Sequence, residues 1–392
     1  MGFSCLYSGI CSGCDLLHFS RHQIEMNRAQ ELEAYGLPVH ELGERFKTVW
    51  IEDGGLRDRV ELVVERTQPS GRLRCGLYAR TESTELRHAK LLLEITGCSQ
   101  FSPALEQFYQ EFIGDLPLVS RRGSVRLRTG PHSERGLWLD FSNEDIRDLL
   151  FEENWISRAL ERGWIIEMGQ RRKRVVAGAG LRRFKLDEPV LEPWFQTWCN
   201  DQAFNLFGTI GTFTQPGLLA NRKLVQTVVE LILKSKTVTS TATRTAVEFG
   251  CGIGNFTLPL ASIFHKVSVF ETDRLALEGL KRGLTAAKLE AGVEIRHGDF
   301  IRGAHNMEIG TPELILVDPP RSGLGNFLTI LQNPAARQAK WIYISCFPES
   351  LGRDLQTLFK AGLRLDSVSV VEQFPFTRHY EVIVSLKSST QA

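Results

Sequence analysis

The sequence predicts an α/β protein in two parts: a C-terminal doubly wound sheet over residues 206–392 behind an N-terminal α+β domain over residues 1–205. Three observations carry this. The chain has 392 residues, enough for two or three domains with cores of their own. Beyond residue 206, short apolar runs alternate with helix-like stretches, the pattern of parallel strands joined by crossover helices. Before it, short strand-like runs are broken by Gly-Gly and Pro-Ser-Gly turns. A composition 42% hydrophobic and 24% charged excludes collagen, a coiled-coil rod and a disordered acidic tail. No apolar run approaches the roughly 20 residues of a membrane helix. The opening residues, MGFSCLYSGICSGCD, lack the basic-then-apolar order of a secretory signal. A cytoplasmic protein is expected, with no membrane and no obligate protein partner. In a reducing compartment, clustered cysteines raise the question of metal binding or catalysis rather than disulfides.

Each element follows from local pattern. A helix-like stretch runs from Arg21 to Tyr35. Val60–Val64 reads as a strand. Ser102-Pro103 opens a helix to Ile113, with serine as N-cap and proline in the first turn. Strand-like sequence resumes at Ser124, a helix is expected near Asn143–Glu161, and residues 171–205 read as irregular and basic. Next come a long helix, Pro216–Lys236, and a polar linker from Thr237. The strands of the C-terminal sheet are expected at Ala246–Phe249, Val267–Phe270, Val293–Arg296, Leu314–Val317 and Trp341–Ser345. Leu363–Val371 and Tyr380–Leu386 close the chain as an antiparallel pair. Seven strands ending this way resemble the class I methyltransferase fold, a Rossmann relative.

Net charge misleads. Lys+Arg 47 against Asp+Glu 46 gives +1, which does not advertise a nucleic-acid binder. Yet of the 27 basic residues among the first 200, 23 are arginine, and they bunch as Arg121, Arg122, Arg126, Arg128 and as Arg171, Arg172, Lys173, Arg174 with Arg182, Arg183, Lys185. These bunches read either as solvated strand faces or as phosphate-contacting edges, since guanidinium forks suit phosphate oxygens.

The chemistry-bearing motifs fall at strand ends. Gly250-Cys251-Gly252-Ile253-Gly254-Asn255 follows one strand and opens a helix, where glycines let a cofactor approach the backbone. Glu271 ends the next strand, where an acid can take both hydroxyls of a ribose, or cap the following helix. Asp299 follows the third. Asp318-Pro319-Pro320-Arg321 ends the fourth in a rigid turn at the ligand-binding edge of the sheet. Cys346 ends the fifth just before Pro348, where a helix N-terminus favours thiolate. Glu381 opens the last strand, placed either as a buried base or as an edge charge. At the N-terminus, Cys5, Cys11 and Cys14 with the distant Cys98 have a spacing open to an iron–sulfur site, zinc or scattered thiols.

Together these runs resemble the uracil-5 RNA methyltransferase family: Cys251-Gly-x-Gly-Asn-Phe, Asp318-Pro-Pro-Arg-x-Gly-Leu, Ser345-Cys-x-Pro and Phe374-Pro-x-Thr-x-His-x-Glu381. Phe213-Thr-Gln215 is similar to the family's Phe-x-Gln segment. The resemblance implies S-adenosylmethionine held by Gln215, Gly250, Asn255, Glu271, Asp299 and Asp318. It further implies Cys346 as nucleophile, Glu381 as base and a 4Fe-4S cluster on Cys5, Cys11, Cys14 and Cys98. The cysteines are similar to those of the short ribosomal branch without an N-terminal TRAM domain, so 23S rRNA is the expected partner and 5-methyluridine the product. Alternatives are a tRNA substrate, or an idle RNA-binding iron–sulfur protein. The Arg121–Arg128 run falls where the family's central domain meets RNA. Departures are Phe347 for asparagine, Phe376 for a polar residue, Gly217 for asparagine and Gly250 for an aromatic.

Overall fold

A computed structural model describes residues 5–66, 70–80, 91–117, 122–141, 145, 147–179, 183–234, 244–300 and 307–389. In chain order the elements are α1 (Arg21–Ala34), β1 (Phe46–Val49), β2 (Arg59–Arg66), β3 (Leu73–Tyr78), β4 (Leu92–Leu93), α2 (Pro103–Ile113), β5 (Arg122–Thr129), β6 (Arg135–Asp140), α3 (Glu153–Glu161), β7 (Trp164–Met168), β8 (Lys173–Ala177), β9 (Phe184–Asp187), β10 (Glu192–Cys199) and β11 (Gln202–Gly208). There follow α4 (Leu218–Leu233), β12 (Thr245–Phe249), α5 (Thr257–Ile263), β13 (Lys266–Glu271), α6 (Arg274–Ala287), β14 (Val293–His297), β15 (Leu314–Val317), α7 (Pro334–Gln338), β16 (Lys340–Ser345), α8 (Pro348–Lys360), β17 (Leu363–Val371) and β18 (Glu381–Ser388).

The chain forms two compact units, residues 1–17, 52–195 and 208–218 in the first and residues 18–51, 196–207 and 219–392 in the second. The division differs from the expected boundary at 205/206, because α1 and β1 fold with the C-terminal sheet. Local pattern gives an element its type; which sheet edge it joins is a long-range matter.

The first unit carries a sheet of order β4-β3-β2-β5-β6-β7-β8-β9. All its neighbours are antiparallel except β6 and β7, which α3 joins in parallel. One face buries Val125, Leu127, Leu137, Leu139 and Ile166 with Phe108 and Phe112 of α2 and Trp155 of α3. Helix α2 begins as its sequence dictates, with the Ser102 hydroxyl accepting from Leu105 N at 3.3 Å and Pro103 in the first turn. Residues 171–205, read as irregular, contain β8 and β9 and pass into the β10–β11 ribbon. Their charged residues pair across strands, as Lys173 with Glu188 and Arg174 with Glu192, so the polarity that suggested a loop is that of a solvated edge. The expected helix near Asn143–Glu161 is shorter, a 3-10 turn followed by α3, and residues 142–144 lie outside the described residues.

The second unit is the doubly wound sheet, but with eight strands rather than seven: β1-β17-β18-β16-β15-β12-β13-β14. The additional strand is β1, which adds in parallel to β17 with Phe46 opposite Val368. Strands β12–β16 are parallel; β18 runs antiparallel between β16 and β17. Parallel strands covered on both faces need continuous apolar runs, and all four residues of β15 are buried. Phe249, Phe270, Phe300, Phe327 and Trp341 form a chain of ring contacts in this core. Among the described residues no helix is long and apolar enough to cross a membrane.

Candidate active site

The carboxyl ends of β12, β13, β15 and β16 and the start of β18 bring the expected second-unit residues to one edge of the sheet. The loop after β12 is built on glycines for a reason of backbone geometry. Gly250 has φ +80° and its absent Cβ would stand 3.2 Å from the Asp318 carbonyl oxygen. Glycine where relatives of this motif carry an aromatic is therefore what this backbone requires. Gly254, at φ +98°, could carry a Cβ only by displacing Leu258 and Leu280.

The side chains around that loop are tied together. Glu271 accepts from Gly252 N at 3.0 Å, and from Thr272 N at 2.6 Å and Asp273 N at 2.9 Å. The helix cap weighed for this segment falls to Asp273, which accepts from Leu275 N. Asn255 exchanges side-chain hydrogen bonds with Asn221 of α4, at 2.9 and 2.7 Å, so its amide fixes the loop against that helix. Asp299 follows β14 in an exposed position. Gln215 belongs to the first unit, where it is buried and its carbonyl oxygen accepts from the Thr214 hydroxyl at 3.0 Å.

Cys346, Asp318, Arg321 and Glu381 converge. Burial raises the Cys346 thiol above its ordinary pKa; the carboxylates of Glu381 and Asp318 raise it further, and the Arg321 guanidinium, against the sulfur, pulls it down. The helix N-terminus was expected to favour thiolate here. Instead desolvation and two carboxylates raise the thiol above its ordinary pKa. Burial lifts Asp318 to about 7. Glu381 is raised well above the carboxylate range by burial and then Asp318, against the opposing pull of Arg321 and a hydrogen bond from Gln373. Beneath the site the fully buried Glu248, held by the Thr257 hydroxyl at 2.6 Å, is pushed by burial to about 8. Arg321 and Gln373 are the functional candidates that sequence reasoning passed over. Arg321 was readable as a cation fixed directly behind the Asp-Pro-Pro turn; Gln373 carried no signal.

The arginine bunches are placed differently from expectation. Arg121 and Arg182 lie outside the described residues. Arg122 is exposed, but Arg128 is 2% exposed and donates to Thr209 O at 3.3 Å, Thr212 O at 2.6 Å and Thr214 Oγ1 at 3.0 Å. Arg126 donates to Gly211 O at 2.9 Å and to Glu61 at 3.0 Å, and stacks on Trp138. Strand alternation places 122, 124, 126 and 128 on one face, and residues 209–214 cover most of it. Two of the four arginines thus frame a turn rather than an RNA surface.

Cys5, Cys11, Cys14 and Cys98 gather in the first unit. The N-terminal loop is stitched to the end of β3 by an antiparallel bridge of Cys11 to Ala79 and by Arg80 N to Ile10 O at 2.8 Å. Tyr7 reaches across to Thr96 O at 2.8 Å. Burial pushes the Cys14 thiol to about 12, and Cys98, Cys5 and Cys11 each add to that rise, while Arg57 opposes it. Four mutually felt sulfurs are of the donor type that a thiolate-ligated cluster takes. Among the described residues, however, no group of three or more His, Cys, Asp or Glu side chains stands in metal-ligating geometry.

The eight-stranded sheet, the glycine loop after β12 and the reactive groups at its carboxyl edge define a class I methyltransferase. A family model for the methyltransferase small domain matches residues 211–340, and one for tRNA (uracil-5-)-methyltransferase matches residues 300–389. The chain is 36% identical over 387 residues to an uncharacterized RNA methyltransferase of Bdellovibrio bacteriovorus, covering 97% of this chain and 94% of that one. It is 25% identical to the tRNA/tmRNA (uracil-C(5))-methyltransferase of Aliarcobacter butzleri, over 98% of this chain and 99% of the relative. With the 23S rRNA (uracil(1939)-C(5))-methyltransferase of Halomonas elongata the identity is 26%, over 99% and 77%. Among solved structures, the tRNA (uracil-54, C5)-methyltransferase of Pyrococcus abyssi bound to S-adenosyl-L-homocysteine shares the fold, with TM-score 0.64, 17% identity, and 96% and 86% of the two chains covered. The chain belongs to the uracil-5 RNA methyltransferase family.

Proposed function

We propose that this chain methylates C5 of a uridine in 23S rRNA, using S-adenosylmethionine. The observation that carries the reading is the convergence of Cys346, Glu381, Asp318 and Arg321 at the carboxyl edge of the sheet. C5 of uracil is a weak nucleophile; addition of a thiolate at C6 makes it enolate-like. Cys346 passes its proton to the Asp318 carboxylate as its sulfur adds to C6 and regains it on elimination, and Arg321 stabilises the developing thiolate. Asp318, close to neutral pH in its titration, orients the base. Glu381, whose ionised form burial makes strongly basic, takes the proton from C5. Elimination then releases Cys346 and the product. Gly250, Asn255, Glu271, Asp299 and Asp318 are the cofactor-holding residues in this reading. The methyl group is what the bound cofactor supplies. The target base must leave its stack, at a cost of a few kcal/mol that loops and bulges lower.

The four N-terminal cysteines are proposed as the ligands of a 4Fe-4S cluster. Bound there, it would cross-link the 5–14 loop to the segment at Cys98. The rise in pKa that these thiols impose on one another supports this. A tRNA substrate is the second reading, favoured by the near-complete coverage of the Aliarcobacter butzleri relative. Mass mapping of rRNA and tRNA from a deletion strain decides: one 5-methyluridine missing from 23S rRNA supports the first reading, one missing from tRNA the second, and no loss refutes both.

A further inference from the structure

We propose that Arg28, on helix α1, is a positioning residue that holds the 372–381 segment so that Glu381 faces Cys346. The proposal rests on the reading of Glu381 as the base. It also explains why a helix so far from the catalytic motifs in sequence folds with their unit.

Arg28 is 4% exposed and grips the segment at three points. Its Nε donates to Glu372 Oε1 at 2.9 Å, at the entrance. Its Nη2 donates to Thr377 O at 2.7 Å, in the middle. Its guanidinium lies 4.0 Å from the ring centroid of Tyr380, at the exit. One turn along α1, Glu31 accepts from the Tyr380 hydroxyl at 2.9 Å. The residue after Tyr380 is Glu381, and the residue after Glu372 is Gln373, which donates to the Glu381 carboxyl. Both flanks of the base are therefore fixed to one helix.

The segment between the grips is not relaxed. Phe376 is a non-glycine residue at φ +60°, packed against Trp50 with ring centroids 6.0 Å apart. Such a conformation persists only where its surroundings over-determine it. The Arg28–Glu372 pair is also a poor way to gain stability alone. Glu372 is fully buried, and its Oε2 has no hydrogen-bond partner among the described residues. Buried ion pairs are often matched or exceeded by apolar residues of similar volume. What an apolar pair could not reproduce is the fork that joins Glu372 to Thr377 while stacking on Tyr380.

Glu381 faces Asp318, Arg321, Cys346 and Gln373; Glu372 faces Arg28 and Glu25. Loosening the segment admits water to Glu381 and removes part of the burial that raises it. Its acid limb then moves to lower pH.

The test compares Arg28→Met with the charge-balanced Arg28→Met/Glu372→Met, using total RNA from a deletion strain and labelled S-adenosylmethionine. Arg28→Met alone leaves Glu372 buried and uncompensated and is expected to be unstable. The double variant is expected to keep a Tm near that of the parent and unchanged KM for S-adenosylmethionine. Its kcat is expected to fall by about 10–100-fold, the scale of a misplacement near 1 Å, with the acid limb of kcat shifted to lower pH. A double variant with parental kcat and an unmoved limb overturns the proposal. A kcat loss with an unmoved limb also overturns it, because the base would still sit in its original surroundings. Glu381→Gln is run in parallel. If it retains full activity, the base reading fails; if it is inactive while the double variant is normal, only the positioning role of Arg28 fails.

Discussion

The protein holds half-buried thiols in two different surroundings. In the first unit Cys14 has three other sulfurs for neighbours, with Arg57 as the nearby cation. In the second, Cys346 stands between two carboxylates, with Arg321 against it. In both places burial raises the thiol and an arginine restrains the rise. The difference lies in what removes the proton. Sulfurs facing sulfurs can all lose theirs only to a cation that binds them together. A sulfur facing carboxylates has a proton acceptor within its own site, as a nucleophile that must form and release a bond requires.

The largest expected effect removes the nucleophile. Cys346→Ala should reduce methyl transfer by at least about 10³-fold while calorimetry still registers S-adenosylhomocysteine; turnover near the parental rate would refute the assignment. Glu381→Gln should lower kcat by about 10²–10⁴-fold and accumulate an RNA–protein adduct on denaturing gels, since addition proceeds and elimination stalls. No adduct would count against the base role. For the other thiols, the parent prepared anaerobically is expected to carry about four irons per chain, and Cys14→Ser or Cys98→Ser should eliminate them. Stoichiometric zinc in the parent would show that the sulfurs serve a different metal.

Two smaller effects sharpen the contrast. Arg321→Met removes the group that lowers the Cys346 pKa, so the pH midpoint of Cys346 alkylation should move up. An unmoved midpoint would show that the guanidinium does not act on the sulfur. Asp318 tests the carboxylate side. Its folded pKa of about 7 lies above the ordinary 3.8, so its burial lowers stability as pH rises from about 4 through 7. Asp318→Asn should therefore raise Tm more at pH 8 than at pH 5. Equal shifts at both values would mean the carboxyl titrates normally.

How far the sequence was readable depends on the range of the interaction. Strand β15 was legible because a buried parallel strand must be apolar throughout, and the Ser102-Pro103 helix start because capping is local. The Asp-Pro-Pro turn and Ser-Cys-x-Pro gave Asp318 and Cys346 for the same reason: a strand end fixes where its next residues stand. The arginine run of β5 misled, since alternation states that Arg122, Arg126 and Arg128 share a face but not whether that face is covered. The turn at 209–214 covers it and leaves Arg128 buried.

By itself, then, the sequence determined the order and type of the catalytic elements and the residues at their ends, because these follow from periodicity, caps and turns within a few positions. Only the tertiary structure decided that β1 completes the sheet as an eighth strand, that α1 braces the segment carrying Glu381, and that burial and two carboxylates raise the Cys346 thiol. Each depends on which distant groups share a low-dielectric neighbourhood. Burial and charge act through space, and one-dimensional spacing does not encode the distances that set them.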